Sequence, residues 1–111
     1  MMIDWNRVQD LRDEIGADAF GEVVDLFLEE VDTEIEKLRH TGPNLHLEGH
    51  LHFLKGSALN LGFAAFSDLC HRGEQSAAAG RYGAINLPEI LSCYAHSKSE
   101  FLSGLDRVIA A

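Results

Sequence analysis

His52 is the residue of this chain whose surroundings best equip it for chemistry. On a helix its neighbours one turn away are Glu48 and Gly49 before it, and Lys55 and Gly56 after it. An ordinary imidazole titrates at about 6.5, so at cytosolic pH it is mostly neutral and carries a free nitrogen lone pair. Lys55 sets a positive charge one turn away, where an anion attached to the ring would be favoured. Each glycine inside a helix is unfavourable by roughly 1 kcal/mol relative to alanine. Two of them beside a water-facing ring imply bare backbone over which something large approaches. The set describes a histidine that accepts a phosphoryl group from a docking macromolecule.

The element that must hold this set runs from Asn44 to Phe63. Leu47, Leu51, Leu54, Ala58 and Leu61 recur at the four- and three-residue steps of an amphipathic helix. His52 lies roughly 140° from the centre of that stripe and so faces solvent. Asn44 is the expected N-cap, and Gly62 is suited to end the helix in the left-handed conformation. Leu59 is apolar near the His52 line, where the pattern calls for a polar residue. Gly49, Gly56 and Leu59 together form the expected docking surface.

His52-Phe53-Leu54-Lys55-Gly56-Ser57-Ala58, followed by Leu61-Gly62, resembles the H-x-L-K-G-S-A-x-x-L-G signature of histidine-containing phosphotransfer (HPt) domains. It is similar to the phosphotransfer modules of multistep two-component relays and to the first domain of chemotaxis kinases. The resemblance implies Nε2 of His52 as the attacking atom and a phosphoramidate that passes its group on. It implies response-regulator receiver domains and a histidine kinase as partners, with Mg²⁺ held by the receiver rather than by this chain. Many such domains also place a glutamine on the following helix near the imidazole. Glu74 and Gln75 fall in that region, and a carboxylate there would repel the phosphoryl group. Glu48, on the preceding turn, is the other candidate for orienting the ring through Nδ1.

Length and composition bound the alternatives. The chain of 111 residues is expected to be a single domain over 1–111, and 46% hydrophobic residues with two prolines describe a folded chain. Eighteen acidic against nine basic residues give a net charge of −9, which disfavours nucleic acid and anionic membrane as partners. Asp4, Arg7 and Asp10 interrupt any apolar leader, and no run approaches a membrane span. A cytoplasmic monomer is the expectation, free-standing rather than excised from a kinase. Cys70 and Cys93 read as small core residues, not as a disulfide or zinc framework. His46 and His50 have the i, i+4 spacing of a metal pair, with His71 or Asp68 as the third ligand it would require; no metal is expected. No phosphate-binding glycine loop or kinase motif is present, so the chain reads as a phosphocarrier and not an ATP-using enzyme.

The remaining segments are helical too. Ile3 to Ile15 reads as a short helix capped by Asp4, with an Ile3–Val8 staple and Trp5 sealing the end of the core. Asp18 is expected to cap a second helix ending near His40. Its core face carries Phe20, Val23, Val24, Phe27, Val31, Ile35 and Leu38, and its solvated face Glu22, Glu29, Glu30, Asp32, Glu34 and Glu36. Gly42-Pro43 makes the next turn. A helix over Ala65–Ala79 buries Phe66, Leu69, Cys70, Gly73 and Ala77, and Gly83 keeps the following connection loose. The last helix starts near Leu87 and presents Ile90, Leu91, Tyr94, Phe101, Leu105 and Val108. The expected fold is all-α, an antiparallel four-helix bundle with a short N-terminal capping helix. Its function is phosphotransfer through His52; the alternative is a helical interaction module that binds a receiver or kinase without being phosphorylated.

Overall fold

A computed structural model describes residues 1–41 and 46–110, apart from the side chains of residues 41 and 108–110. The chain is all-helical, with no strand among the described residues. The Asn44 cap, the Gly42-Pro43 turn and the Val108 side chain lie outside the described residues.

The first helix, Trp5–Ile15 (α1), begins as its sequence directs. The Asp4 side chain accepts from the Arg7 amide at 3.3 Å, and Ile3 and Val8 are both buried as a staple. The second helix, Ala17–Thr41 (α2), starts at once. Gly16, at φ 87°, donates to Arg12 O at 2.9 Å and accepts from the Phe20 amide at 3.1 Å. One residue thus ends α1 and opens α2. Asp18 is therefore not the cap but a first-turn residue, where its charge still complements the helix dipole. The buried line of α2 is Phe20, Val24, Leu28, Val31, Ile35 and Leu38; Val23 and Phe27 are only half-buried, and Leu28 takes the inward place beside Phe27.

The third helix, Leu47–Leu61 (α3), is shorter than the Asn44–Phe63 span. Leu47, Leu51, Leu54, Ala58 and Leu61 are all buried, each leucine stabilising the fold by roughly 1.5–3 kcal/mol. Gly62 stops it at φ 81°, with the Phe63 amide bonding back to Ala58 O at 2.8 Å and the Gly62 amide to Leu59 O at 3.3 Å. The Gly62 carbonyl then accepts from the Asp4 amide at 2.7 Å, so the end of α3 holds the start of α1. A Cβ on Gly62 would fall 2.7 Å from Asp4 O.

The fourth helix, Ala64–Ala78 (α4), follows after only Gly62 and Phe63 and packs against α3. It buries Phe66, Ser67, Cys70, Gly73 and Ala77, with Leu69 half-buried. The connection beyond Gly80 is not loose: Tyr82–Ala84 forms a 3-10 turn packed against α4. The last helix, Leu87–Ala110 (α5), is capped by Asn86, whose Oδ1 accepts from the Glu89 amide at 3.1 Å, and Pro88 sits in its first turn. Ile90, Tyr94, Ser97 and Phe101 are buried, while Leu91 and Leu105 are half-buried. Trp5 seals this end of the core by stacking on Phe101 (centroids 6.0 Å, 7° between planes), against the space that Gly104 leaves. Contacts link α2 to α3, α3 to α4, α4 to α5 and α5 to α2, with α1 resting on α2 and α3.

Two carboxylates of α2 do not belong to its solvated face. Asp32 accepts from the Tyr94 hydroxyl at 2.5 Å and pairs with Lys98 at 2.7 Å, tying α2 to α5. Glu34 contacts the His50 ring and lies 3.7 Å from Lys37, tying α2 to α3. Burial and then the Asp32 bond push the Tyr94 phenol up, so it stays a neutral donor.

Candidate functional site

The orientation of His52 follows from the leucine stripe. With Leu51 and Leu54 buried, the helical period turns His52 outward, and its side chain is 69% exposed. At 100° per residue, Gly56 and Gly49 lie about 40° and 60° to one side of it, and Lys55 about 60° to the other. A Cβ on either glycine would meet nothing within 4 Å, so the backbone beside the ring is bare.

The Lys55 side faces α4, and one glycine sets the distance. Gly73 lies so close to α3 that a Cβ there would come within 2.9 Å of Leu51 Cδ1 and 3.5 Å of Ile90 Cδ1. Leu51 directly precedes His52, and Glu74 directly follows Gly73. This close approach brings Glu74 Oε1 to 2.7 Å from His52 Nδ1. A carboxylate offers only lone pairs, so the proton of a neutral ring lies on Nδ1 and the lone pair on Nε2.

Glu74 Oε2 lies 2.7 Å from Lys55 Nζ. The contact is a charge contact rather than an aligned bond, since this buried oxygen makes no hydrogen bond of good geometry. Lys55, followed by the His52 ring, holds the Glu74 carboxyl below the usual carboxylate range although burial opposes it. Glu74, not the exposed Gln75, is thus the α4 residue at the ring. Its charge is met by Lys55. Glu48 is exposed, and no bond from it to the ring is found among the described residues.

The other candidates are dispersed. Leu59 is exposed two turns along the His52 line, and Ser57 is half-buried away from the ring. His50 is engaged by Glu34, while Asp68 and His71 are exposed on α4. Among the described residues no group of three or more His, Cys, Asp or Glu is arranged to hold a metal ion. Burial pushes the Cys70 thiol up to about 12 and raises Cys93 as well, so neither is a ready nucleophile. Sequence reasoning passed over Leu26 and Phe53, both exposed and both lining a groove between α2 and α3. The available signal was their position off the buried lines of their own helices.

The family model of the Hpt domain matches residues 22–110. This chain belongs to the Hpt domain family. Comparison with curated proteins and with solved structures gives no match. Hpt domains are phosphocarriers of phosphorelay signalling rather than enzymes, and their partners there are receiver domains and histidine kinases. Among the described residues no helix of this Hpt domain is long and apolar enough to cross a membrane.

Proposed function

We propose that this Hpt domain is a phosphorelay intermediate whose phosphoacceptor is Nε2 of His52. The single observation that carries the reading is an exposed imidazole with Nδ1 engaged by Glu74, Nε2 left unengaged among the described residues, and bare backbone at the two glycines one turn away. In the transfer, the Nε2 lone pair attacks the phosphorus of a receiver's aspartyl phosphate, or of ATP bound by a histidine kinase. The N–P bond forms as the P–O bond breaks, and the receiver's carboxylate, or ADP, leaves with the electron pair. The ring becomes cationic, and Glu74, holding the Nδ1 proton, faces that charge. Lys55 balances the charge of Glu74 behind the ring. The reverse attack by a second receiver's aspartate returns the ring to neutrality. Mg²⁺ for these steps is assigned to the receiver's own acidic pocket, and catalysis on this chain is positioning plus charge.

Gly49, Gly56 and Leu59 form the approach surface in this reading. The antiparallel four-helix bundle with α1 as its cap is supported by the closed circuit of contacts from α2 to α5 and by the two-residue turn between α3 and α4. A cytoplasmic monomer is part of the same proposal.

The test is incubation with phosphorylated receiver domains from the source organism. Acid-labile, alkali-stable label on the wild type and none on His52→Gln is the expected result. Label that survives the substitution, or none on the wild type with any receiver, overturns it and leaves a module that binds without being phosphorylated.

A further inference from the structure

Lys55 stands one turn from His52, but its charge does not go to the open side of the ring. Its Nζ lies 2.7 Å from Glu74 Oε2, while Glu74 Oε1 lies 2.7 Å from His52 Nδ1. One carboxylate thus joins the amino group to the imidazole, and it does so at Nδ1. Nε2, across the ring, has no contact among the described residues. Exposure separates the three side chains as well: Lys55 is 23% and Glu74 17% exposed, against 69% for His52. The amino group is drawn in beside α4, and the ring stands out from it.

Burial holds the lysine where it is. Glu74 Oε2 is buried and makes no well-aligned hydrogen bond, so the nearby amino group is what meets its charge. A Lys55 that swung away to a phosphoryl group would leave that oxygen buried without a partner, which is strongly unfavourable. Lys55 is also the largest influence holding the Glu74 carboxyl below its usual range; the His52 ring adds to it, and burial opposes both. Other titratable groups near α4 do not take its place. The Cys70 thiol, one turn before Glu74, is pushed up to about 12 and stays neutral. Arg72 and Glu89 of α5 line a groove on another side of α4, and Arg72 is about 160° around the helix from Glu74. Freed of Lys55, the Glu74 carboxyl would either take up a proton or turn out to water. In both cases Nδ1 loses its fixed acceptor, and the ring proton can move to Nε2, where the lone pair is needed.

We infer that Lys55 is a positioning residue that acts on His52 through Glu74: by anchoring the carboxylate it fixes the ring proton on Nδ1 and the lone pair on Nε2, and it does not bind the phosphoryl oxygens. The bearing on transfer rests on His52 as phosphoacceptor, whereas the placement of the ring proton does not. Lys55 touches neither the phosphodonor nor the reacting nitrogen, so its whole effect passes through the carboxylate. With an amide at position 74 there is no charge to anchor, and Lys55 becomes idle.

The ring is read first, without phosphate, from the ¹⁵N shifts of the His52 imidazole at about pH 8, where an ordinary imidazole is neutral. The wild type should carry its proton on Nδ1, and Lys55→Met should show both tautomers in exchange. Lys55→Arg should return the wild-type pattern, because a guanidinium can meet the same carboxylate. A wild-type ring protonated on Nε2, or an unchanged pattern in Lys55→Met, overturns the inference. Labelling by phosphoramidate, a small donor that needs no docking, then closes a double-mutant cycle. Lys55→Met should slow labelling at least about threefold beside Glu74, yet by no more than about 1.5-fold when Glu74→Gln is already present. A lysine that binds phosphoryl oxygens would slow both backgrounds alike, and equal slowing overturns the assignment. Neither chain in the Glu74→Gln comparison holds a buried carboxylate at position 74, so that comparison stands even if Lys55→Met alone does not fold. No label on the wild type removes the phosphoacceptor, and the ring spectra then decide the role of Lys55 by themselves.

Discussion

Two clusters of the same three residue types flank α3, and only one opens its ring to solvent. On the α4 side are His52, Glu74 and Lys55; on the α2 side are His50, Glu34 and Lys37. In each, a glutamate oxygen engages Nδ1 of the histidine and a lysine stands near the other oxygen, at 2.7 Å from Glu74 and 3.7 Å from Glu34. The difference is access. The His52 side chain is 69% exposed and that of His50 22%. One turn from His52 stand two glycines, while one turn from His50 stand Leu47, Phe53 and Leu54. A carboxylate behind an imidazole is therefore no signature of a nucleophile. Facing solvent, it leaves the ring's other nitrogen open to approach; between two helices, it is a tie.

The largest contrast is expected from removing each ring. His52→Gln should abolish phosphoryl labelling, whereas His50→Gln should leave its rate within about twofold. Label found on His50 by peptide mapping would break the comparison. Next come the carboxylates. Glu74→Ala should slow labelling at least tenfold by freeing the ring's orientation, and Glu74→Gln should restore part of the loss, because an amide oxygen still accepts from Nδ1. Equal rates for the two variants would reduce Glu74 to a charge, and Glu34→Gln should leave the rate alone.

Stability should show the reverse ranking. His50→Ala and Glu34→Ala each remove a half-buried charged bond between α2 and α3 and should cost about 1–3 kcal/mol, seen as a Tm lower by several degrees. His52→Ala should shift Tm by less. The smallest effect is in pH. Because the folded Glu74 carboxyl lies below its ordinary value of 4.5, its stabilisation is present above that value and lost as pH falls through the depressed one. The Tm difference between wild type and Glu74→Gln should thus be full at neutral pH and shrink in strong acid. A difference that grows on acidification would contradict the Lys55–Glu74 pairing.

The sequence disclosed most where one helix decides the outcome by itself. The leucine line of α3 fixes which way His52 points, and Gly62 fixes where α3 stops, so both were legible from spacing. What was hidden depends on partners distant in the chain. Asp32 and Glu34 look like any carboxylates of an acidic face until Tyr94, Lys98 and His50 come into contact with them. The choice between Glu74 and Gln75 turns on how closely α4 approaches α3, a distance set by the absence of a side chain at Gly73. Asp18 carried a good capping signal, but Gly16 joins α1 to α2 without a loop and left it no cap to make. Phe53 was in plain view beside His52, yet the groove it lines required Leu26 from another helix.

The carbonyl of Gly62 bears on where this domain should be cut. The matched span opens at residue 22, yet Asp4 is bonded to Gly62, Ile3 and Val8 are buried, and Trp5 covers Phe101. An expression boundary drawn at the start of that span would strip the lid from one end of the interior. The folding unit begins no later than Ile3, and a minimal version of the protein must keep the first helix to keep the rest.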